Sequence, residues 1–237
     1  MEKKYEAIKM GNFYRIKALK DFQLITGEMV KKGDLGGLVE GSHNISQEGN
    51  CWIEFEARAF GDSKVIDNAV LKDCSCAYNN STISGNAVMK DYSLTRDNAT
   101  VSGNAVMKDW SAACGNSIIT GNALLQAYQH IQFGTVTTDL LGTKDWVGAL
   151  YAELGVKPQN NKIVLYKKVW STKDQDVFKS VYHRNFLYKI GKISRAQNVN
   201  EDILEHCARG LHFTSLENLI NYGGDTILEC EVDVKDI

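Results

Sequence analysis

Proline occurs once in the 237 residues, at Pro158, and histidine is missing altogether from Gly49 to Gln129. Neither sign of charge is in excess: 27 Lys and Arg stand against 29 Asp and Glu, a formal net charge of −2. Nucleic-acid-binding domains are usually strongly basic, so nucleic acid is not an expected partner. No apolar run approaches the ~18 residues that a membrane span needs. The opening MEKKYEAIKMGNFYRIK lacks the hydrophobic core of a signal peptide. The six cysteines, Cys51, Cys74, Cys76, Cys114, Cys207 and Cys230, show no metal-ligand spacing. Cys74 and Cys76 fit alternating positions on one strand face better than a ligand pair. His183, His206 and His212 have no zinc spacing either. A reduced, cytoplasmic protein without metal or cofactor is expected. A Gly-rich phosphate loop and a Ser-His-Asp order are also missing.

What the chain does have is a repeat. GNAVMKD begins at Gly85 and returns at Gly103, and a decayed GNALLQA begins at Gly121. The 18-residue interval divides into three hexads, and a fixed period decides architecture before local propensity does. With hexads counted from Gly49, the third position is always Ala, Ser or Cys, from Cys51 to Ala123. The fifth position is mostly aliphatic, from Ile53 to Leu125. Small and aliphatic side chains alternating inward predict a chain wound as a triangular prism, three short strands to a coil.

These hexads resemble the left-handed parallel β-helix of the hexapeptide-repeat proteins, over Gly49 to about Gln132 and without a phase slip. The lead-in YRIKALKDF…KKGDLGGLVEGSHNISQEGN resembles the start of phage and prophage proteins that carry this β-helix, a group without a secure activity. The resemblance implies the left hand of the coil, against the usual right-handed crossover rule. It also implies assembly through the flat faces, with a trimer favoured, and the cytoplasm of a host cell as the location.

The fold class expected is mainly β: a left-handed parallel β-helix of 18-residue coils, followed by a small mixed α/β domain. Residues 1–48 form an N-terminal hairpin and capping lead-in, with Gly11-Asn12 as the hairpin turn. Residues 49–138 form the β-helix, and Phe133–Thr138 adds one more side. Residues 139–161 are a helical segment and a linker holding Pro158. Residues 162–237 form the second domain, with strands at Lys162–Trp170, Phe186–Lys192 and Thr226–Val234. A short helix is expected at Ser215–Tyr222, with Ser215 as its N-cap.

Stacking every eighteenth residue makes outward ladders. Asn50, Asn68, Asn86, Asn104 and Asn122 fall on one corner, where asparagine tolerates left-handed backbone and stacked amides can bond. The next corner carries Glu56, Cys74, Tyr92, Trp110 and Tyr128, flanked by Lys90 and Lys108 and then by Asp91 and Asp109. Aromatic rings beside lysines suit a nucleotide base and phosphate. The other reading is that the rings stack on each other while each lysine pairs with its aspartate. A third ladder, Trp52, Val70, Val88, Val106 and Leu124, is an apolar stripe on one face. It predicts a closed homo-oligomer, or else a cover supplied by the N-terminal hairpin or the C-terminal domain.

Left-handed β-helix enzymes are best known as acyltransferases, which use a histidine base. The coils here hold none; His43 precedes them and His130 follows them. The segment ARGLHFTSLENLINYGG, Ala208–Gly224, resembles the nicotinamide-nucleotide segment of ADP-ribosyltransferase-fold proteins. The resemblance implies Leu165–Trp170 as first strand, Glu229 or Glu231 as the late glutamate, and a pocket at His212, Phe213 and Tyr222. Lys167-Lys168 stand where that family has a histidine. The function expected is a non-enzymatic phage-type binding protein, acting on a host protein or sequestering a small nucleotide-like ligand, with a counter-defence role. The alternatives are an acyl- or ADP-ribosyl-type transferase and a structural assembly protein.

Overall fold

The computed structural model describes residues 3–183, 185–196, 199 and 210–237. His206 and Cys207 lie outside the described residues. The chain divides into two compact units, 1–153 and 154–237.

The first unit is a parallel β-solenoid of about six turns with three faces of two-residue parallel strands, one face continuing at its start into longer antiparallel strands. Pairs such as Val70, Val88 and Val106 fix an 18-residue register. The small third-position residues and the fifth-position residues are buried without exception from Cys51 to Leu125. Every hexad from Gly61 to Ala127 opens on a residue at positive φ. On the asparagine corner, the strained residue is therefore the one before each asparagine: Asp67, Gly85, Gly103 or Gly121. The expectation that asparagine itself takes the left-handed turn is corrected. Its role is the amide ladder, with Asn68, Asn86, Asn104 and Asn122 joined by 3.1 Å bonds. A second ladder, Asn80–Asn98–Asn116, has the same spacing. At Gly103 a Cβ would stand 2.8 Å from the backbone nitrogen of Gly121, so coils approach too closely there for a side chain.

The hairpin forms as expected, Tyr5–Met10 against Phe13–Ala18. The lead-in does more than cap. Leu35–Val39 pairs in parallel with Arg58–Ala59, and Ile45 bridges Val65, both at a 20-residue offset. The first coil thus begins before Gly49, and two extra residues hid it from the hexad count. Phe22–Gln23 and Met29–Val30 add a second small hairpin. Lys4 is fully buried at this end, its Nζ donating to the carbonyls of Gly49 and Cys51 at 3.2 and 3.0 Å. These are carbonyls that a coil underneath would otherwise satisfy.

At the other end Thr135–Val136 pairs with Ile118–Ile119, now 17 residues away. The helix Trp146–Leu154 follows, shorter than the expected helical segment because Asp139–Asp145 forms turns instead. Its Ala152 carbonyl accepts from the N–H groups of Gln132 and Phe133 at 2.8 and 3.0 Å. Both solenoid ends are therefore covered, which removes open strand edges that would template aggregation.

The second unit is an antiparallel four-stranded sheet, ordered Leu187–Lys189, Val177–Ser180, Lys162–Ser171, Thr226–Asp233. The strand Val177–Ser180 was not expected, and Phe186–Lys192 shrinks to three residues. Among the described residues this small domain is mainly β, and the short helix expected at Ser215–Tyr222 is a 3-10 turn, Glu217–Asn221. Leu216 precedes it with no side-chain cap, so Ser215 is not its N-cap. No helix among the described residues is long and apolar enough to cross a membrane.

Candidate functional site

The strand Lys162–Ser171 carries the site. Its burial alternates, with Ile163, Leu165, Lys167 and Val169 facing inward. Lys167 thus occupies a core position, opposite Leu228 on the neighbouring strand. An antiparallel bridge between Tyr166 and Thr214 lays the 210–214 segment beside it. That bridge sets the His212 carbonyl 2.6 Å from Lys167 Nζ. The rings of Tyr188 and Phe213 lie 5.6 and 5.5 Å from the same nitrogen, within cation–π reach.

Lys167 stands between two cavities. The larger, about 400 Å³, is lined among others by Ser180, Tyr182, His183, Asn185, Tyr188, Arg195 and His212. The smaller, about 30 Å³, is lined by Tyr182, His212, Phe213, Leu219, Tyr222 and neighbours. Lys167, Tyr182 and His212 line both. Among the described residues, the lining of the larger cavity holds two cations, two histidines and no carboxylate. Burial lowers the Lys167 pKa, and it pushes Tyr188 up to about 12.

His212, Phe213 and Tyr222, expected together, do meet around the smaller cavity. Glu229 and Glu231 line neither cavity. Glu229 accepts from the Tyr166 hydroxyl at 3.3 Å, and Glu231 pairs with Lys162. Lys167 and Arg195 were not anticipated as site residues. The signal for Lys167 was present, since I-x-L-x-K-x-V is a strand face with one polar member.

The aromatic corner is built differently. Tyr92, Trp110 and Tyr128 are about half-exposed, with φ of 63°, 63° and 64°. The residue before each is also left-handed, so this corner alone has two such residues in succession. The Trp110 and Tyr128 N–H groups consequently donate backward, to the carbonyls of Asp91 and Asp109. Left-handed backbone at a bulky residue costs about 1–2 kcal/mol, and ring stacking returns about 0.5–1.5. Tyr92 and Trp110 stack at 4.4 Å and 3°, which leaves no gap for a base between them. Trp110 and Tyr128 are 6.5 Å apart at 15°. Lys90 and Lys108 pair with Asp91 and Asp109 at 3.4 and 3.1 Å. The rings and lysines are therefore largely engaged with their own neighbours.

The apolar stripe is shorter than expected. Trp52 and Val70 are buried within the chain itself, Trp52 under the edge of Phe22. This corrects their assignment to an oligomer interface: the lead-in covers that end. Val88, Val106 and Leu124 are half-buried.

His130 meets a partner that its position did not suggest. Its Nε2 lies 2.6 Å from Cys114 Sγ, 16 residues away on the adjoining coil. Burial raises the thiol pKa and lowers that of the imidazole, so both are held neutral. A thiol–imidazole pair in that state is no activated nucleophile. Among the described residues, no three His, Cys, Asp or Glu side chains could hold a metal ion together.

Residues 156–218 are similar to DUF5758, a family of unknown function. The similar stretch holds Lys167, Arg195 and His212 and ends before Tyr222. No curated protein matches the chain.

Proposed function

We propose that the protein is a non-enzymatic binding protein whose C-terminal cleft takes a small anionic ligand with a planar group, nucleotide-like in chemistry. The observation that carries this is the lining of the 400 Å³ cavity, which among the described residues holds Lys167, Arg195, His183 and His212 and no carboxylate, in a chain whose net charge is −2. An arginine on that lining, with no carboxylate beside it among the described residues, favours an anion arriving from outside. The rings of Tyr182, Phe186 and Tyr188 around the same space supply planar surfaces. The β-solenoid is the rigid scaffold. Self-association through Val88, Val106 and Leu124, with a trimer favoured, completes the proposal. The resemblance of the lead-in and hexads supports a phage-type protein that works in a host cytoplasm, by sequestering such a ligand or engaging a host protein.

The test is calorimetry with adenosine 5′-monophosphate and with uncharged adenosine. A charge-assisted contact predicts that the nucleotide binds roughly tenfold or more tightly than the nucleoside. Arg195→Gln should remove that difference. Equal binding of both compounds, or binding of neither, overturns the reading.

A further inference from the structure

Lys167 is only 6% exposed, on a strand face it shares with Ile163, Leu165 and Val169. A buried ammonium is normally matched by a carboxylate. Among the described residues none lines either cavity. Its partners are a neutral carbonyl, that of His212, and the rings of Tyr188 and Phe213. An ε-amine that donates one N–H to His212 still has a second N–H and a lone pair. Lys167 lines a cavity of about 400 Å³, large enough for a small molecule, whose lining includes Arg195.

We infer that Lys167 captures its ligand covalently, its free ε-amine adding to the carbonyl carbon of a small aldehyde or ketone whose anionic group is held by Arg195. This rests on the anion-binding reading of the same cleft. The nitrogen lone pair forms the C–N bond while the C=O π pair moves onto oxygen. A proton passes from nitrogen to that oxygen, giving the carbinolamine. The hydroxyl then leaves as water with the remaining nitrogen proton, and a neutral imine stays. Amine plus carbonyl gives imine plus water, with no oxidant or reductant. Tyr182, His183 and His212 border the same space and are side chains of the kind that carries such protons. Burial favours the unprotonated amine, the form that attacks. The step is reversible by hydrolysis, so capture is compatible with a protein that turns nothing over. Lys168 serves as a comparison within the chain, since its Nζ donates to the Tyr222 carbonyl at 3.1 Å and it is more exposed.

The full-length protein is incubated with equimolar pyridoxal 5′-phosphate, a planar anionic aldehyde, and reduced with borohydride. Peptide mass mapping then locates the adducts. Lys167 should carry most of the label, well ahead of Lys168. Lys167→Arg, which keeps a long hydrogen-bond donor but forms no imine, should lose the stoichiometric adduct. Label spread over exposed lysines with Lys167 unmodified overturns the inference, and the wild-type map alone decides this if the variant fails to fold. Pyridoxine 5′-phosphate, the corresponding alcohol, separates the two readings by calorimetry. If it binds while Lys167 escapes labelling, covalent capture fails and anion binding stands. If it does not bind and Lys167 escapes labelling, both fall.

Discussion

Ser93→Ala should stabilise the protein. Ser75, Ser93 and Ser111 lie one above another inside the solenoid, fully buried, and their Oγ atoms have no hydrogen-bond partner among the described residues. An unsatisfied buried hydroxyl costs about 1–3 kcal/mol. Alanine holds the same hexad position at Ala87, Ala99 and Ala105, all at 0% exposure, so the layer accepts a methyl group without rearrangement. The oxygen's lost dispersion contacts, about 0.1–0.2 kcal/mol per atom pair over a few pairs, return part of the gain. The net expectation is about 1 kcal/mol of added stability, or roughly 2–4 °C in Tm for a chain of this size. Ser81→Ala is the control, because Ser81 Oγ donates to the Thr95 carbonyl at 3.5 Å. It should be neutral or mildly destabilising. Urea titration and calorimetry of both variants supply the measurement. A loss of about 1 kcal/mol or more in Ser93→Ala, at unchanged m-value, would refute the claim that the layer is dry and unsatisfied.

Glu153 has its pKa raised to about 7, mainly by burial, against the lowering effect of a hydrogen bond from the His130 backbone N–H. The folded state therefore holds a proton that the unfolded chain releases near 4.5, so this contribution to stability is complete below pH 4.5 and lost as pH rises through 7. Glu153→Gln should match the wild type at pH 4 and melt higher at pH 8; a variant that melts lower at pH 8 contradicts the sign. The double change Val88→Lys and Val106→Lys places two charges on the half-buried stripe, which is costly in a dry contact. Light scattering should then report a smaller species than the wild type, and a wild type that is monomeric at high concentration ends the assembly proposal.

The solenoid was legible because its period is rigid. Position three must be small, and Ala105 or Ser111 says so without help from the rest of the chain. Where the period breaks, legibility stops: Ile45 and Val39 belong to a coil, but two inserted residues before Cys51 put them out of phase. The C-terminal strand Lys162–Ser171 was readable from alternation, while Val177–Ser180 is too short and too polar at Lys179 to stand out. The cleft was hard to foresee because its chemistry depends on distant pieces. Lys167 appeared only as a residue in the wrong place for a family motif. Its meaning comes from the His212 carbonyl, 45 residues on, and from Tyr188 and Phe213. Cys114 and His130 were missed for the same reason, since they face each other across adjoining coils with a diagonal offset that no ladder count pairs.

Lys4 at one end and the Trp146–Leu154 helix at the other close the solenoid with unlike devices, and neither touches the middle coils. Within the sheets, the strands of each interior coil pair with those of the coil above and the coil below. Residues 86–103 could therefore be duplicated or excised as a block, and Asn104 would meet its new neighbour in the same geometry as the old. The solenoid's length is then a quantised variable, changing by about 4.8 Å per gene-level event while both terminations stay the same. The verbatim return of GNAVMKD is what a recent event of that kind would leave in the sequence.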